Sequence, residues 1–572
     1  MLIISLLMPA IISFYLNTYK KSTYLCNNSF DNWVENCKFI FYSIFFLHST
    51  MNRNALFSLV RNHTQKIWDV IVIGGGATGA GLAFDAASRG FGTLLLEQED
   101  FGKGTSSRST KLIHGGVRYL AQGDLVLVIE ALKERGLILK NAPHLTFNQE
   151  FVIPVYTWWE ALIYTVGLKF YDILAGRLSL GKSRFIGLGE TLKRLPNIRT
   201  NGLKGGVIYH DGQFDDSRFL ITLIRSVLEK GGVALNYCKV TGLIKDPDGN
   251  IAGVIARNVE SGQKLRIKAR VVINATGVFT DDILIMDQPV MERTIRPSQG
   301  IHIVFDKKFL AGESAVMIPK TDDGRVLFAI PWYDKVLIGT TDTPIETISL
   351  EPKALEEEIT FILNTAGRYL RVPPQRADIL SVFAGLRPLA ASPYDPTATR
   401  EISRRHKIRI SSSGLVTVEG GKWTIYRRMA QDTIDKIMQA GMLEKRACIT
   451  RQLTVCGIDH DHQKSDRFHI YGLHAREIKA MFNLNSVNDK PLHPRLPYTR
   501  AEIIWICRNE MPRKIEDVLA RRTHALLLDA RASKEMAPEV ATIMAGELEF
   551  DKEWIQGQIE AYYKLVDNYI CH

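Results

Sequence analysis

The sequence predicts an α/β fold with three parts: a parallel-sheet unit, an antiparallel sheet interleaved with it, and a helical C-terminal part. The first observation is a βαβ unit, since the apolar, β-branched run Ile67–Ile73 precedes glycines, a helical segment and a second strand at residues 93–97. The second is the alternation of apolar and polar residues over residues 295–341, which is typical of an antiparallel sheet. The third is the dominance of helical segments past residue 440, such as Arg500–Asn509 and residues 514–527.

The composition indicates a multidomain globular protein. The chain has 572 residues, 46% of them apolar and 23% charged, and at roughly 100–200 residues per domain this predicts two to four domains. The net charge of +11 favours anionic partners, and a plain basic surface explains it equally well. No run of Lys and Arg with interleaved aromatic residues indicates nucleic-acid binding. The seven cysteines include no C-x-x-C pair, so we expect a reducing compartment and no metal site.

The N-terminal segment differs from the rest of the chain. Its two apolar stretches, residues 2–16 and 39–47, are shorter than the ~20 residues that span a bilayer. A signal peptide typically has Lys or Arg before its apolar stretch, and none precedes the first stretch here. We therefore expect Met51 to be the true start, with residues 1–50 outside the protein. The alternative is a targeting segment, since residues 36–68 contain no Asp or Glu.

The loop after the first strand has the spacing of a dinucleotide-binding site. Gly74, Gly76 and Gly79 follow the strand and open a helix, and Glu97 closes the next strand. In this arrangement the first glycine allows a tight turn, the second lets the backbone approach a pyrophosphate, and the third lets helix and strand pack closely. The helix N-terminus stabilises the pyrophosphate, and the acidic residue accepts hydrogen bonds from the adenosine ribose. The segment therefore predicts an adenine dinucleotide.

Longer matches indicate which dinucleotide is bound. Residues 73–90 resemble the first signature of the FAD-dependent glycerol-3-phosphate dehydrogenases at every defined position. Residues 105–120 are similar to that family's S-S-x-x-x-K-L-I-H-G-G-x-R-Y-L segment. Residues 420–430 resemble its second signature except at Ile425, where the pattern has Gly, Ser, Thr or Glu. The departure puts a polar contact from that side chain in doubt and leaves the loop intact.

The resemblance continues between these signatures and covers about residues 68–530 in one order. It implies a Rossmann-type FAD-binding domain with an interleaved antiparallel-sheet substrate domain and a helical C-terminal domain. The predicted limits are an N-terminal extension outside the fold at 1–66, an FAD-binding domain at 67–150, 205–290 and 376–440, a substrate domain at 151–204 and 291–375, and a C-terminal domain at 441–572.

The matched motifs imply a set of cofactor contacts. The small hydroxyls and paired glycines of residues 105–120 suit a loop that lies against a flavin. The glycine pair that opens residues 420–430 stands between a strand and a helix, so its backbone N–H groups are expected to face the flavin as well. The predicted FAD-binding residues are Gly74, Gly76, Gly79, Glu97, Ser106, Ser107, Lys111, Gly115, Gly116, Gly277, Gly420, Gly421 and Lys422.

The resemblance also implies a reaction. The family oxidises sn-glycerol 3-phosphate to dihydroxyacetone phosphate, with hydride transfer from C2 to FAD and electrons passed to a membrane quinone. The alternative is a glycerol-3-phosphate oxidase, which uses oxygen and produces hydrogen peroxide. A flavin amino-acid oxidase would need a carboxylate clamp, and the two signatures argue against it. A non-catalytic flavoprotein scaffold would lack polar groups at the flavin face.

Five basic residues are the candidates for the chemistry. His302 is the expected base, because imidazole titrates near neutral pH and G-x-H-I-V matches the family's active-site histidine. The resemblance implies that Arg387, in a G-x-R-P segment, stabilises the developing alkoxide. Arg118, Arg400 and Lys422 are expected to bind the substrate phosphate or the flavin, since guanidinium forks suit bidentate phosphate binding.

An aromatic-rich stretch is the candidate membrane contact that a quinone-linked enzyme needs. We expect it to lie on a bilayer surface. The alternative is that it packs in the core, which is favoured because Glu160 and Asp172 interrupt the stretch. The aromatic residues are Trp158, Trp159, Tyr164, Phe170 and Tyr171, and the nearby cations are Lys169, Arg177 and Lys182.

The expected location follows from the resemblance. No EF-hand loop of the calcium-regulated animal type occurs near the C-terminus, which favours a bacterial type of enzyme. We therefore expect a peripheral protein on the cytoplasmic face of the bacterial inner membrane. The mitochondrial inner membrane is the alternative. A homodimer is a further expectation.

Overall fold

The structure is a computed structural model that describes residues 51–63, 65–121, 123–290, 293–319, 321, 324–390, 406–459 and 466–571. The two interpretations of residues 1–50 lie outside the described residues.

The strands form two large sheets and a small hairpin sheet. They are β1 (Ile67–Ile73), β2 (Thr93–Leu96), β3 (Leu112–Ile113), β4 (Thr146–Val155), β5 (Arg184–Gly187), β6 (Gly205–Phe214), β7 (Val233–Leu235), β8 (Cys238–Lys245), β9 (Ile251–Asn258), β10 (Lys264–Asn274), β11 (Ile295–Asp306), β12 (Ala315–Ile318), β13 (Leu327–Trp332), β14 (Lys335–Gly339), β15 (Thr343–Pro344), β16 (Ser381–Ala390), β17 (Lys407–Ile410), β18 (Val416–Glu419), β19 (Pro491–His493) and β20 (Leu496–Thr499).

The α-helices cover the faces of the first sheet, pack against the second, and make up most of the C-terminal part. They are α1 (Arg53–Asn62), α2 (Ala77–Ser88), α3 (Val117–Ala121), α4 (Leu125–Asn141), α5 (Trp158–Ala175), α6 (Leu188–Arg194), α7 (Asp216–Glu229), α8 (Thr280–Asp287), α9 (Glu356–Tyr369), α10 (Tyr426–Gln439), α11 (Ala475–Phe482), α12 (Arg500–Asn509), α13 (Ala525–Leu528), α14 (Ala530–Leu548) and α15 (Lys552–Val566).

The first sheet has a parallel centre in the order β18-β10-β1-β2-β7. Strand β1 is buried along most of its length, as its largely apolar sequence requires between two layers of helices. Because parallel strands end at the same edge, the segments after β1, β2, β10 and β18 converge there. Those segments contain Gly74, Glu97, Gly277 and Gly420, so the fold gathers four distant parts of the predicted cofactor site.

The second sheet runs in the order β15-β11-β14-β13-β12-β4-β6-β3 and is largely antiparallel. Strand β16 pairs with β11 along ten residues, which places Arg387 opposite Ser298 and Phe383 opposite His302. Strands β4 and β6 also pair over ten residues. The sheet and the helical C-terminal part confirm the predicted fold class.

The predicted domain limits need correction at several strands. Strands β3, β6 and β16 fall in segments assigned to the FAD-binding domain, yet they pair within the second sheet. The alternation of apolar and polar residues indicates a strand but does not indicate its partner, which is set by long-range pairing. The chain therefore crosses between the two sheets more often than the sequence pattern predicts.

Helix α1 corrects the prediction that residues 1–66 lie outside the fold. Arg53 is 4% exposed, and its guanidinium donates to the carbonyl oxygens of Asn236 and Tyr237, each at 3.1 Å, and to Oδ1 of Asn258 at 3.1 Å. Three buried acceptors on one guanidinium anchor α1 to the segment after β7 and to the end of β9. This anchoring depends on residues about 180–200 positions away, which local composition does not reveal.

A buried ion pair joins the C-terminal helices to the first sheet's helices. Arg218 of α7 donates to Oε2 and Oε1 of Glu510 at 2.7 and 2.8 Å, and the two side chains are 2% and 0% exposed. We expect Arg218→Met to lower the free energy of unfolding by about 3–5 kcal/mol, because Glu510 would be left charged and buried. Chemical denaturation measures this. Arg184→Met breaks an exposed pair with Glu190 and should change the free energy of unfolding far less; equal losses in both variants would contradict the role of Arg218.

Candidate active site

Two adjoining cavities lie where the segments after β1, β2, β10 and β18 converge. The dinucleotide cavity has a volume of about 390 Å³ and contains Gly74, Gly76, Glu97 and Gly277 in its lining. The substrate cavity has a volume of about 320 Å³ and contains His302 and Arg387 in its lining. The two cavities share a wall, formed by Thr105, Pro388, Gly420, Gly421, Lys422 and Trp423.

The glycines of the dinucleotide cavity allow contacts that no side chain would permit. Gly74 has φ of +108°, and a Cβ there would come within 2.6 Å of the carbonyl oxygen of Ala275. At Gly79, a Cβ would lie 1.8 Å from the carbonyl oxygen of Gly74. Helix α2 therefore packs directly on the turn after β1, which is the close approach predicted for the third glycine of the motif.

The residues present fit an adenine dinucleotide. Helix α2 begins after Gly76, whose position carries no capping side chain, so the N-terminus of this twelve-residue helix faces the cavity as a phosphate site does. Glu97 accepts hydrogen bonds from the backbone N–H of Gly75 at 2.6 Å and of Glu99 at 2.9 Å. Burial raises the pKa of the Glu97 carboxyl above its ordinary value. Ser106 accepts from the N–H of Ala77 at 2.9 Å and ties its loop to the same helix.

His302 lies on the lining of the substrate cavity and is only 3% exposed. Its Nε2 lies 2.9 Å from Oγ1 of Thr110, and its ring stacks on Phe383 with centroids 5.2 Å apart. Burial, followed by the charges of Lys111 and Arg387, holds the pKa of His302 well below its ordinary value of 6.5. The imidazole is therefore neutral near pH 7, which is the state in which it accepts a proton.

Arg387 is held in a cradle of oxygen acceptors beside His302. Its guanidinium donates to the carbonyl oxygens of Gln299 at 3.1 Å and Thr341 at 2.8 Å, to Oδ1 of Asp342 at 3.0 Å and to Oγ1 of Thr340 at 3.1 Å. These partners leave the group 24% exposed, on the lining of the cavity. The fixed, partly open guanidinium can stabilise negative charge on a bound oxygen.

Lys422 belongs to both cavities, and its ammonium lies 3.6 Å from the ring centre of Tyr119. The lining also contains residues that were not among the sequence-predicted site residues, among them Thr110, Tyr119 and Arg325. Thr110 and Tyr119 belong to the matched segment 105–120, so that motif was the available signal. Arg325 follows a turn between β12 and β13, and nothing in its local sequence distinguishes it from a surface arginine.

One wall of the substrate cavity is apolar. It includes Leu112, Val117, Phe151, Tyr209, Met317 and Phe328. The same apolar cluster includes Ala161 and Leu168 of α5, so this helix packs behind the wall. The substrate cavity therefore combines an apolar wall with a few polar groups, His302 and Arg387 among them, as small-molecule sites commonly do.

Some predicted cofactor residues are not brought to either cavity. The ammonium of Lys111 donates to the carbonyl oxygen of Ser107 at 2.7 Å and to both carboxylate oxygens of Asp216 at 2.8 Å, and the Lys111 side chain is fully buried. Gly115 lies beneath the lining, with its N–H 3.3 Å from Oδ1 of Asp211. Lys111 and Gly115 therefore support the loop from behind and do not line either cavity. The side chain of Arg118 and all of Arg400 lie outside the described residues.

Within the described ranges, no cluster of three or more His, Cys, Asp and Glu side chains is arranged to hold a metal ion.

Family comparisons agree with this architecture. A family described as "FAD dependent oxidoreductase" matches residues 69–427, and one described as "C-terminal domain of alpha-glycerophosphate oxidase" matches residues 414–555. These matches cover the two sheets and most of the helical part.

Curated relatives and a solved structure extend the similarity over most of the chain. The mitochondrial glycerol-3-phosphate dehydrogenase of Saccharomyces cerevisiae is 35% identical, over 89% of this chain and 90% of the relative. The mitochondrial glycerol-3-phosphate dehydrogenase of Homo sapiens is 36% identical, over 90% of this chain and 75% of the relative. The structure of Bacillus halodurans glycerol-3-phosphate dehydrogenase complexed with FAD is 28% identical with a TM-score of 0.72, covering 90% of this chain and 97% of that one.

Proposed function

Since this chain belongs to the family of FAD-dependent glycerol-3-phosphate dehydrogenases, we propose that it oxidises sn-glycerol 3-phosphate to dihydroxyacetone phosphate by hydride transfer from C2 to FAD and delivers the electrons to a membrane quinone. The observation that carries the proposal is the shared wall between the two cavities. It sets the cavity that contains His302 and Arg387 directly against the one that fits the dinucleotide.

The roles of the residues follow from their chemistry. Bound FAD supplies the two-electron acceptor. Neutral His302 takes the proton of the C2 hydroxyl, and Arg387 stabilises the negative charge that develops on that oxygen. Lys422, Arg118 and Arg400 bind the substrate phosphate or the flavin, and Arg325 adds a further cation on the cavity lining.

The other cofactor contacts are proposed in the same way. The N-terminus of α2, with Gly74, Gly76 and Gly79, holds the pyrophosphate, and Glu97 binds the ribose. Gly116 and the glycine pair Gly420–Gly421 line the substrate cavity where the isoalloxazine is expected. Lys111 and Ser107 fix the loop from beneath.

The electron acceptor distinguishes a quinone-linked dehydrogenase from a glycerol-3-phosphate oxidase. The apolar wall of the substrate cavity supports a quinone, because an aromatic, lipid-soluble acceptor gains stability from it and oxygen needs no such surface. The test is aerobic turnover with glycerol 3-phosphate, with and without a short-chain quinone. We expect quinone reduction without stoichiometric peroxide. Peroxide formed in equal amounts with dihydroxyacetone phosphate would support the oxidase instead.

Helix α5 is the proposed membrane surface. Trp159 and Ile173 are 69% and 72% exposed, whereas Tyr171 is 1% exposed and packs inward. The other exposed apolar residues of this helix are Trp158, Leu162, Ile163, Val166 and Phe170, and the exposed cations beside them are Lys169, Arg177 and Lys182. An apolar face with flanking cations suits an anionic bilayer surface. In the part of the chain that the structure describes, no helix is long and apolar enough to cross a membrane.

We expect Trp159→Glu combined with Ile173→Glu to weaken binding to anionic phospholipid vesicles by more than about 100-fold, because each side chain contributes about 1.5–3 kcal/mol when it enters the bilayer. Co-sedimentation with vesicles measures this, and activity with a water-soluble acceptor should be retained. Leu484→Glu is the matched control, since Leu484 is 80% exposed in the C-terminal part. Unaltered vesicle binding of the double variant would contradict the assignment of α5.

The membrane concerned is proposed to be the mitochondrial inner membrane. The yeast and human relatives are named as mitochondrial enzymes, which favours this location over the bacterial inner membrane that was expected from the sequence. A homodimer stays a prediction.

A further inference from the structure

The hydroxyl of Thr110 occupies the reactive side of the His302 ring. Its Oγ1 lies 2.9 Å from Nε2 of His302, and both residues line the substrate cavity. The other ring nitrogen, Nδ1, is buried and has no hydrogen-bond partner among the described residues. A proton can therefore reach the imidazole only at Nε2, where Thr110 stands.

Thr110 is held in this position by its two neighbours. Ser109 donates its hydroxyl hydrogen to Oδ2 of Asp216 at 2.7 Å, and Lys111 donates its ammonium hydrogens to both oxygens of the same carboxylate at 2.8 Å. Asp216 is fully buried at the start of α7. Because both flanking residues bind one fixed carboxylate, the backbone of Thr110 has little freedom, and its hydroxyl is preorganised toward His302.

We propose that Thr110 is a catalytic residue that relays the proton from the C2 hydroxyl of the substrate to Nε2 of His302. The inference rests on the proposed function and deepens it. As the O–H bond of the C2 hydroxyl breaks, its proton passes to Oγ1 of Thr110, while the hydroxyl proton of Thr110 passes to Nε2. FAD, when bound, would accept the hydride and its electron pair from C2, which thereby becomes the ketone carbon. His302 thereby acquires the one proton that the substrate loses.

The positive charges near His302 favour release of the proton after it has reached the imidazole. Lys111 and Arg387 both lower the proton affinity of His302, and no carboxylate among the described residues bonds to its ring. The imidazolium is thus unstable once formed and returns its proton after the ketone has left.

The test is the rate of anaerobic FAD reduction by glycerol 3-phosphate in the holoenzyme. Thr110→Val keeps the shape of the side chain but lacks the hydroxyl, and we expect the reduction rate to fall by about 100-fold, at the lower end of general acid–base effects. Thr110→Ser keeps the hydroxyl and should stay within about threefold of the unaltered chain. Thr433→Val is the control, because its buried hydroxyl bonds the carbonyl oxygen of Met429 outside both cavities.

A proton inventory in mixed light and heavy water adds a measurement that a purely structural role would not move. A relay moves two protons together, so the inventory of the unaltered chain should curve, and that of Thr110→Ser should curve equally. Thr110→Val reduced at an unaltered rate, Thr110→Ser as slow as Thr110→Val, or a linear inventory would each overturn the relay. Failure of glycerol 3-phosphate to reduce the unaltered holoenzyme would instead reject the proposed function.

Discussion

Replacing His302 with Ala is expected to lower kcat for glycerol 3-phosphate by about 10²–10⁴-fold while FAD stays bound, because the variant lacks the proposed general base. His302 lies on the lining of the substrate cavity and not of the dinucleotide cavity, so cofactor binding should be unaffected. Steady-state kinetics and the flavin-to-protein ratio of the purified variant measure the two effects separately.

The control for this variant is His493→Ala, which removes a histidine that pairs with Glu535 in the C-terminal part. It should retain full turnover. The pH dependence gives an independent check. Because the pKa of His302 lies well below 6.5, the base is neutral at all higher pH values, and activity should be lost only as pH falls through that lowered pKa. A rate of His302→Ala close to that of the unaltered chain would remove the assignment of the base.

Gly79→Ala is expected to weaken FAD binding by about 5- to 150-fold, since overpacking costs about 1–3 kcal/mol and 1.4 kcal/mol corresponds to a factor of ten. The added Cβ would lie 1.8 Å from the carbonyl oxygen of Gly74. A backbone atom cannot rotate away as a side chain can, so helix α2 must shift from the turn that is proposed to hold the pyrophosphate.

Titration of the apoprotein with FAD, followed by flavin fluorescence, measures this loss. Gly557→Ala is the matched control, because a Cβ at that position in α15 meets nothing within 4 Å. Affinity of Gly79→Ala equal to that of the control would show that α2 does not hold the cofactor through this contact.

The parts of the fold that depend on local pattern could be predicted from the sequence. The strand, glycine loop and helix from Ile67 to Ser88 follow from apolar runs and turn residues that are adjacent in the chain. The place of strand β6 in the second sheet, by contrast, depends on ten pairs with β4. The sequence did not predict that helix α1 belongs to the fold, because the contact that anchors it joins Arg53 to the distant Asn236.

The candidate site shows the same division. His302 and Arg387 were predicted from matched motifs, and the structure brings them together because β11 and β16 are paired neighbours. Lys111 was predicted beside the flavin, but its side chain forms a buried pair with Asp216. A motif match identifies a loop but does not give the direction of each side chain in it. The role of Thr110 depends on contact with a residue 192 positions away, which one sequence does not reveal.

The central claim is that bound FAD takes electrons from glycerol 3-phosphate at this site. Anaerobic mixing of the purified holoenzyme with glycerol 3-phosphate tests it most directly, because flavin reduction is read from the visible absorbance before any acceptor is involved. We expect the flavin absorbance to bleach and dihydroxyacetone phosphate to form in equal amount with the reduced flavin. An oxidised flavin that persists in the presence of saturating glycerol 3-phosphate would contradict it.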